Sequence, residues 1–530
     1  MLLKRKRSES TLGNAVCSAF ALLAASASAQ TSEAIEPPIV TTTSGQVVGV
    51  QSASGIVYRG LPYAAAPEGQ LRWRSPVPPQ SWTAVREADT FGPPCAQAPR
   101  IEGQTAISSV SRENCLYLNV WTPRPHAGGK LPVMVWIHGG AFANGMSTSP
   151  TYDGARLASE GVVVVTLNYR LGVFGFLAHP ELTAESSHAS SGNFGLQDQL
   201  AALRWVATNI AAFGGDPSNV TIFGQSAGGA SVLNLATSTE ARGLFSRAII
   251  QSGAARSTIT VPALASAEKN GLAFSAGQPI ATLRHLSQDE VLLRAAGLDA
   301  SATRFGPVRD GYVITGDPAT AVADLRDTGV ELLIGSNARE GLGPPSEEGL
   351  DAEIRASFGA NADLALAQYG RTNGNEGGSA DPLLGTAAEQ FATDSTFRCG
   401  SVEVAQNAAV AGLPVWQYQF EQPVPGREAQ GSVHSAEVPY VFGNLLTTGF
   451  SAANYSPVDR RLSDLLVGYW VNFAKRGDPN GPGLPTWPRY TSAAKDYLRL
   501  SSAYPANAAA DVDLRGSICR LFPANPAIEK

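Results

Sequence analysis

The sequence predicts an α/β fold: a large, mostly parallel central sheet with helices on both faces and helical excursions lying over it. Three observations lead there. Short apolar runs rich in β-branched residues recur along the chain. A segment of helical period lies between two of them. No linker or internal repeat divides the chain after about residue 44.

The runs are Leu116–Trp121, Val133–Ile137, Val162–Leu167, Val220–Phe223, Ala248–Gln251 and Leu332–Ile334, each bounded by turn residues. Strands buried on both faces read as short unbroken apolar stretches, because neither side of the pleat meets water. Between Val162–Leu167 and Val220–Phe223 a helix is expected from about Leu196 to Phe213. Leu200, Leu203, Val206 and Ile210 fall on one of its faces, and Gly214-Gly215-Asp216-Pro217 ends it. Segments 260–300 and 340–395 carry weaker patterns. They are expected to be helical excursions over the sheet, which in an enzyme would shape the substrate pocket.

Apolar residues make up 44% of the chain and charged residues only 16%, enough apolar material for a large core. The net charge of −6, with no basic patch beyond the N-terminus, argues against nucleic acid as a partner. Lys4–Arg7, an apolar stretch from Ala15 to Ala25 and Ala27-Ser28-Ala29 have the layout of a signal peptide. Cleavage is expected after Ala29, which leaves 30–530 as a single exported domain, periplasmic or secreted. The apolar stretch is short for a bilayer span, and no other segment reads as one. Cys17 falls inside the leader. Cys95, Cys115, Cys399 and Cys519 remain, an even count that in an exported chain suggests two disulfides with three possible pairings.

Val220–Gly229 reads as a β run, then G-x-S-x-G, then a helical pattern from Ala230 to Ala236. A serine hydroxyl is a poor nucleophile unless it is exposed beside a base, and a sharp strand-to-helix turn exposes it. Ser226 is therefore the candidate nucleophile. Upstream, Val133–Ile137 runs into His138-Gly139-Gly140-Ala141-Phe142. Glycines there let consecutive N–H groups converge on one spot. The expected oxyanion donors are Gly140, Ala141 and Ala227.

Six histidines allow elimination: His126, His138, His179, His188, His285 and His434. Hydrolases with this elbow order the chain as serine, acid, histidine, so only His285 and His434 qualify. His285 reads as a polar helix surface, whereas His434 sits in a glycine-led loop and is the expected base. His138 reads as structural. The acid should end a strand between serine and histidine. Leu332–Ile334 leads into Gly335-Ser336-Asn337-Ala338-Arg339-Glu340-Gly341, which favours Glu340 over Asp310 and Asp394.

Several longer motifs then accumulate. They are Arg59–Ala64 (RGLPYA), Glu113–Asn119 (ENCLYLN), Asn168–Gly172 (NYRLG), Gly192–Asp198 (GNFGLQD), Phe213–Pro217 (FGGDP) and Phe223–Gly229 (FGQSAGG). On these, the chain resembles the type-B carboxylesterases of the α/β-hydrolase fold, which include para-nitrobenzyl-type esterases and cholinesterase-like proteins, from about residue 44 to 520. The resemblance implies the same Ser226, Glu340 and His434. It also implies disulfides Cys95–Cys115 and Cys399–Cys519, and a Glu437 that braces the histidine loop. Gln225 stands where many members have Glu, Ala141 replaces a third oxyanion glycine, and Arg339 stands where an acidic residue is common. The stretch from Cys95 to Cys115 lacks the aromatic residue that a choline site uses for cation–π binding, which favours a general carboxylesterase.

The expected activity is ester hydrolysis through a Ser-Glu-His triad and an acyl-enzyme, on a small-molecule ester and with no metal or organic cofactor. The alternatives are a catalytically silent cholinesterase-like binding or adhesion protein and, among enzymes, a lipase, polyesterase or fumonisin-type esterase.

Overall fold

The computed structural model describes residues 37–52, 54–98, 109–123, 130–254, 261–299, 304–341, 346–372, 378–446 and 453–523. The expected leader, residues 1–29 with Cys17, lies outside them.

A small sheet joins β1 (Ile39–Thr42), β2 (Gly45–Val48) and β5 (Arg86–Glu87). The main sheet has eleven strands. They are β3 (Val50–Ser52), β4 (Gly55–Pro62), β6 (Tyr117–Pro123), β7 (Leu131–Ile137), β8 (Val163–Leu167), β9 (Gly215–Gln225), β10 (Arg247–Gln251), β11 (Glu331–Asn337), β12 (Val415–Phe420), β13 (Asp496–Leu500) and β14 (Ala508–Val512). Their spatial order is β14-β13-β12-β11-β10-β9-β7-β8-β6-β4-β3. Pairing is parallel from β13 through to β8 and antiparallel at both ends.

All six expected runs are strands of this sheet. Along β8, Val163, Val165 and Leu167 enter one core cluster and Val164 the other. The first cluster includes Leu196, Leu200, Leu203 and Val206 of α1 (Phe194–Asn209) and Val232 and Leu235 of α2 (Ala227–Thr237). The second packs Met134, Trp136, Phe223 and Ile249 with Leu462, Leu466 and Trp470 of a long helix, Pro457–Arg476. Alternate side chains thus leave the sheet on opposite faces and both are buried. Burying each large apolar side chain contributes roughly 1.5–3 kcal/mol. The expected 196–213 helix is α1 followed by a 3-10 turn, Ile210–Phe213, and it stops at Gly214 in the left-handed conformation. Segments 260–300 and 340–395 do carry helices, including Leu264–Ser275, Leu350–Phe358 and α3 (Ala387–Thr393).

No unbroken apolar run marks β12 in the sequence. Val-Trp-Gln-Tyr-Gln-Phe alternates polar and apolar residues, yet all six are buried, because β12 lies between β11 and β13 with both faces covered.

Both disulfides are formed, Cys95–Cys115 and Cys399–Cys519. The second joins the start of α4 (Cys399–Val410) to a terminal turn across 120 residues. Closing so long a loop restricts the unfolded chain strongly. Replacing Cys399 and Cys519 together by Ser should lower the unfolding free energy by about 2–4 kcal/mol, read from the denaturant midpoint.

Candidate active site

The carboxyl ends of β7, β9, β10, β11 and β12 lie side by side, and each runs into a residue or loop of the site. Parallel α/β sheets place their functional groups at this edge because every strand there ends in the same direction.

Ser226 directly follows β9 and caps α2. Its φ of 58° and ψ of −126° are strained for a residue with a side chain. Its N–H donates to Gln251 O (2.9 Å), and its carbonyl accepts from Ala230 N–H (2.8 Å). The flanking glycines are steric requirements. A Cβ on Gly224 would lie 2.5 Å from the Gly228 carbonyl carbon, and one on Gly228 would lie 2.0 Å from Ile137 O. Ser226 Oγ has no hydrogen-bond partner among the described residues.

The loop after β7 meets this elbow. A Cβ on Gly139 would come within 3.1 Å of Ser226 Cβ and 2.6 Å of Gln225 O. Ala141 (φ 54°) and Phe142 (φ 61°) both adopt left-handed backbone. The N–H groups of Gly140 and Ala141 find no acceptor among the described residues, and Ala227 opens α2, where the first amides have no intrahelical partner. The amides of Gly140, Ala141 and Ala227 are thus without a backbone acceptor among the described residues, two on the loop that meets the elbow and one on the elbow itself. Keeping an alanine side chain at position 141 carries a strain that glycine would avoid.

Glu340 lies on the turn after β11 and is 1% exposed. Its Oε2 is 2.6 Å from His434 Nδ1. Its Oε1 accepts from Ser252 Oγ and from Asn337 N–H, each at 2.8 Å. Backbone bonds tie this turn to the histidine loop, where His434 N–H donates to Glu340 O and Arg339 N–H to Ser432 O, and to the end of β12, where Ala338 N–H donates to Phe420 O. Phe397 stacks parallel to the His434 ring, with centroids 4.9 Å apart. It arrives on a π-helical turn, Asp394–Arg398, between α3 and α4.

The competitors are occupied elsewhere. Asp310 Oδ1 caps a turn, accepting from the N–H groups of Tyr312, Val313 and Ile314. Asp394 pairs with Arg398 and Arg515. The Arg339 side chain leads away from Glu340, donating to Ala429 O (2.9 Å) and lying 3.8 Å from Glu389.

Glu437 is fully buried and accepts from Gln251 Nε2 (3.1 Å) and Asn337 Nδ2 (2.8 Å); Asn337 also donates to Val433 O. It thereby links β10, the Glu340 turn and the histidine loop. Burial and the nearby Glu340 carboxylate raise its carboxyl above the usual range. The sequence reading missed Ser252, Asn337, Thr393, which accepts from Glu340 N–H, and Phe397. The π-helical turn that delivers Phe397 leaves no periodic signal.

His138 is buried against Tyr169, with ring centroids 4.5 Å apart, and its Nδ1–H donates to Gly139 O. Burial lowers its imidazole to about 4. Folded, it stays neutral where the unfolded chain's histidine takes a proton, below about 6.5. The stability present at neutral pH should fall as pH drops from about 6.5 to 4, by about 3 kcal/mol from this group alone. Unfolding curves of His138→Gln across that window should show a shallower slope.

An elbow serine, a loop of free amides and a histidine–carboxylate pair at the C-terminal edge of a mixed eleven-stranded sheet define a hydrolase of the α/β-hydrolase class. The chain belongs to the carboxylesterase family, whose profile matches residues 36–511, and it is a carboxylic-ester hydrolase. It is 36% identical over 488 residues to a fumonisin B1 esterase of Sphingopyxis macrogoltabida, covering 88% of each chain. It is 36% identical over 485 residues to the para-nitrobenzyl esterase of Bacillus subtilis, covering 88% of this chain and 95% of that one. The crystal structure of a Geobacillus stearothermophilus carboxylesterase superposes with a TM-score of 0.79 at 34% identity, over 92% of this chain and 100% of that one. No helix among the described residues is long and apolar enough to cross a membrane.

Proposed function

We propose that the protein hydrolyses carboxylic esters through a Ser226–His434–Glu340 triad and an acyl-enzyme intermediate. The observation that carries this reading is the 2.6 Å contact between His434 Nδ1 and buried Glu340, on loops beside the elbow that presents Ser226. Glu340 holds the Nδ1 proton, so Nε2 is the free base. His434 takes the Ser226 proton as Oγ adds to the ester carbonyl. The N–H groups of Gly140, Ala141 and Ala227 hold the oxyanion, each worth roughly 100- to 1000-fold in rate. The C–O bond to the alcohol then breaks, and His434 protonates the leaving oxygen. Water repeats the sequence: its proton goes to His434, its oxygen adds to the acyl carbon, and Ser226 recovers its proton as the acid departs. The Ser226–His434 bond closes when substrate fills the site, since such bonds are often long beforehand.

We further propose that the protein works outside the cytoplasm. The signal-peptide layout of residues 1–29 and the two disulfides support this.

The test is a substrate panel of short-acyl, long-acyl, aryl and tricarballylic esters, run on residues 30–530 and on a His434→Ala variant. Short-acyl and aryl turnover that collapses in the variant is the expected result, and a fully active variant would overturn the triad. Preference for long-acyl emulsions would mark a lipase. Preference for tricarballylic esters would mark a fumonisin-type esterase.

A further inference from the structure

Gln225 immediately precedes Ser226 and is 4% exposed. Its Nε2 lies 3.2 Å from His434 Nε2 and 3.4 Å from His434 Nδ1. A donor on the in-plane lone pair of one ring nitrogen would be far from the other. Near-equal distances therefore put the amide over the ring, and Nδ1 is in any case taken in the ring plane by Glu340. The other end of the amide is fixed. Ser435 Oγ donates to Gln225 Oε1 at 2.9 Å, so the NH2 group is the end turned to the imidazole. Ser435, next to the histidine, holds a left-handed φ of 69°.

We propose that Gln225 is a positioning residue for the base: anchored by Ser435, its amide rests over the His434 ring, fixes the ring's tilt and leaves the Nε2 lone pair open to Ser226. This rests on the triad reading above. An N–H group is drawn to the electron-rich face of a neutral ring and repelled by a cationic one. The other ionisable groups around the ring are Glu340 at Nδ1, Glu437 in the same loop and, on the π-helical turn that carries Phe397, the paired Asp394 and Arg398.

The experiment measures kcat, KM and the pH profile of kcat/KM for para-nitrophenyl butyrate, with melting temperatures, for four variants. Gln225→Leu should lose roughly ten-fold in kcat with KM within two-fold, because the ring is no longer held. Gln225→Glu keeps the size and the Ser435 anchor but sets a carboxylate over the ring. It should retain plateau kcat within roughly three-fold and move the acid limb up by about one pH unit. Ser435→Ala should show a smaller kcat loss than Gln225→Leu. An unmoved acid limb in Gln225→Glu, or a Gln225→Leu loss that tracks its melting temperature alone, would overturn the proposal. Ser226→Ala is the control. If it still turns over, the triad reading fails; if it is inactive while the Gln225 variants match the parent, only this inference fails.

Discussion

Ser226→Ala should lower kcat for para-nitrophenyl butyrate by roughly 10⁵- to 10⁶-fold without loss of fold. In the proposed mechanism the Ser226 hydroxyl forms the acyl bond, and His434 without it has no proton to take. Because Ser226 Oγ bonds to nothing among the described residues, its removal strands no buried partner. Alanine keeps the Cβ that the left-handed backbone already tolerates. Stability should therefore stay within about 0.5 kcal/mol of the parent. Residual hydrolysis above the water rate would come from the amides of Gly140, Ala141 and Ala227 acting on bound ester. Loss of melting temperature in step with activity would contradict the assignment.

Glu340→Gln should cost roughly 10³- to 10⁴-fold in kcat in a protein that still folds. Glu340 Oε1 accepts from both Ser252 Oγ and Asn337 N–H. Those two donors would claim the oxygen of a glutamine at this position, turning its NH2 toward His434 Nδ1. The ring would then have to accept at Nδ1 and carry its proton on Nε2, the tautomer that cannot take a proton from Ser226. The wrong tautomer, rather than lost packing, is the predicted cause. Steady-state kinetics beside a melting curve checks it, and activity within ten-fold of the parent would contradict it.

The sheet was legible because its central strands are unbroken apolar runs, and the elbow because Gly224 and Gly228 leave no room for any side chain. Glu340 and His434, which the fold brings into contact, stood out by order and position: a carboxylate just past the strand Leu332–Ile334, and a histidine in a glycine-led loop. Strand β12 was not legible, since buried Gln417 and Gln419 imitate a half-exposed pattern. The groups that hold Glu340 were not legible either. Ser252, Asn337 and Thr393 come from three separate elements, and the last lies at the end of a helix 53 residues away in sequence. Phe397 depends on a π-helical turn whose extra residue re-aims its ring. Such groups become visible only when the strand ends are brought together.

Active-site labelling tests the Ser226 nucleophile most directly. The parent and Ser226→Ala proteins would be treated with a fluorophosphonate and read by peptide mass spectrometry. The expected result is one label per parent chain, on Ser226, and none on the variant. A label on another residue, or a well-folded parent that hydrolyses esters yet takes no label, would contradict it.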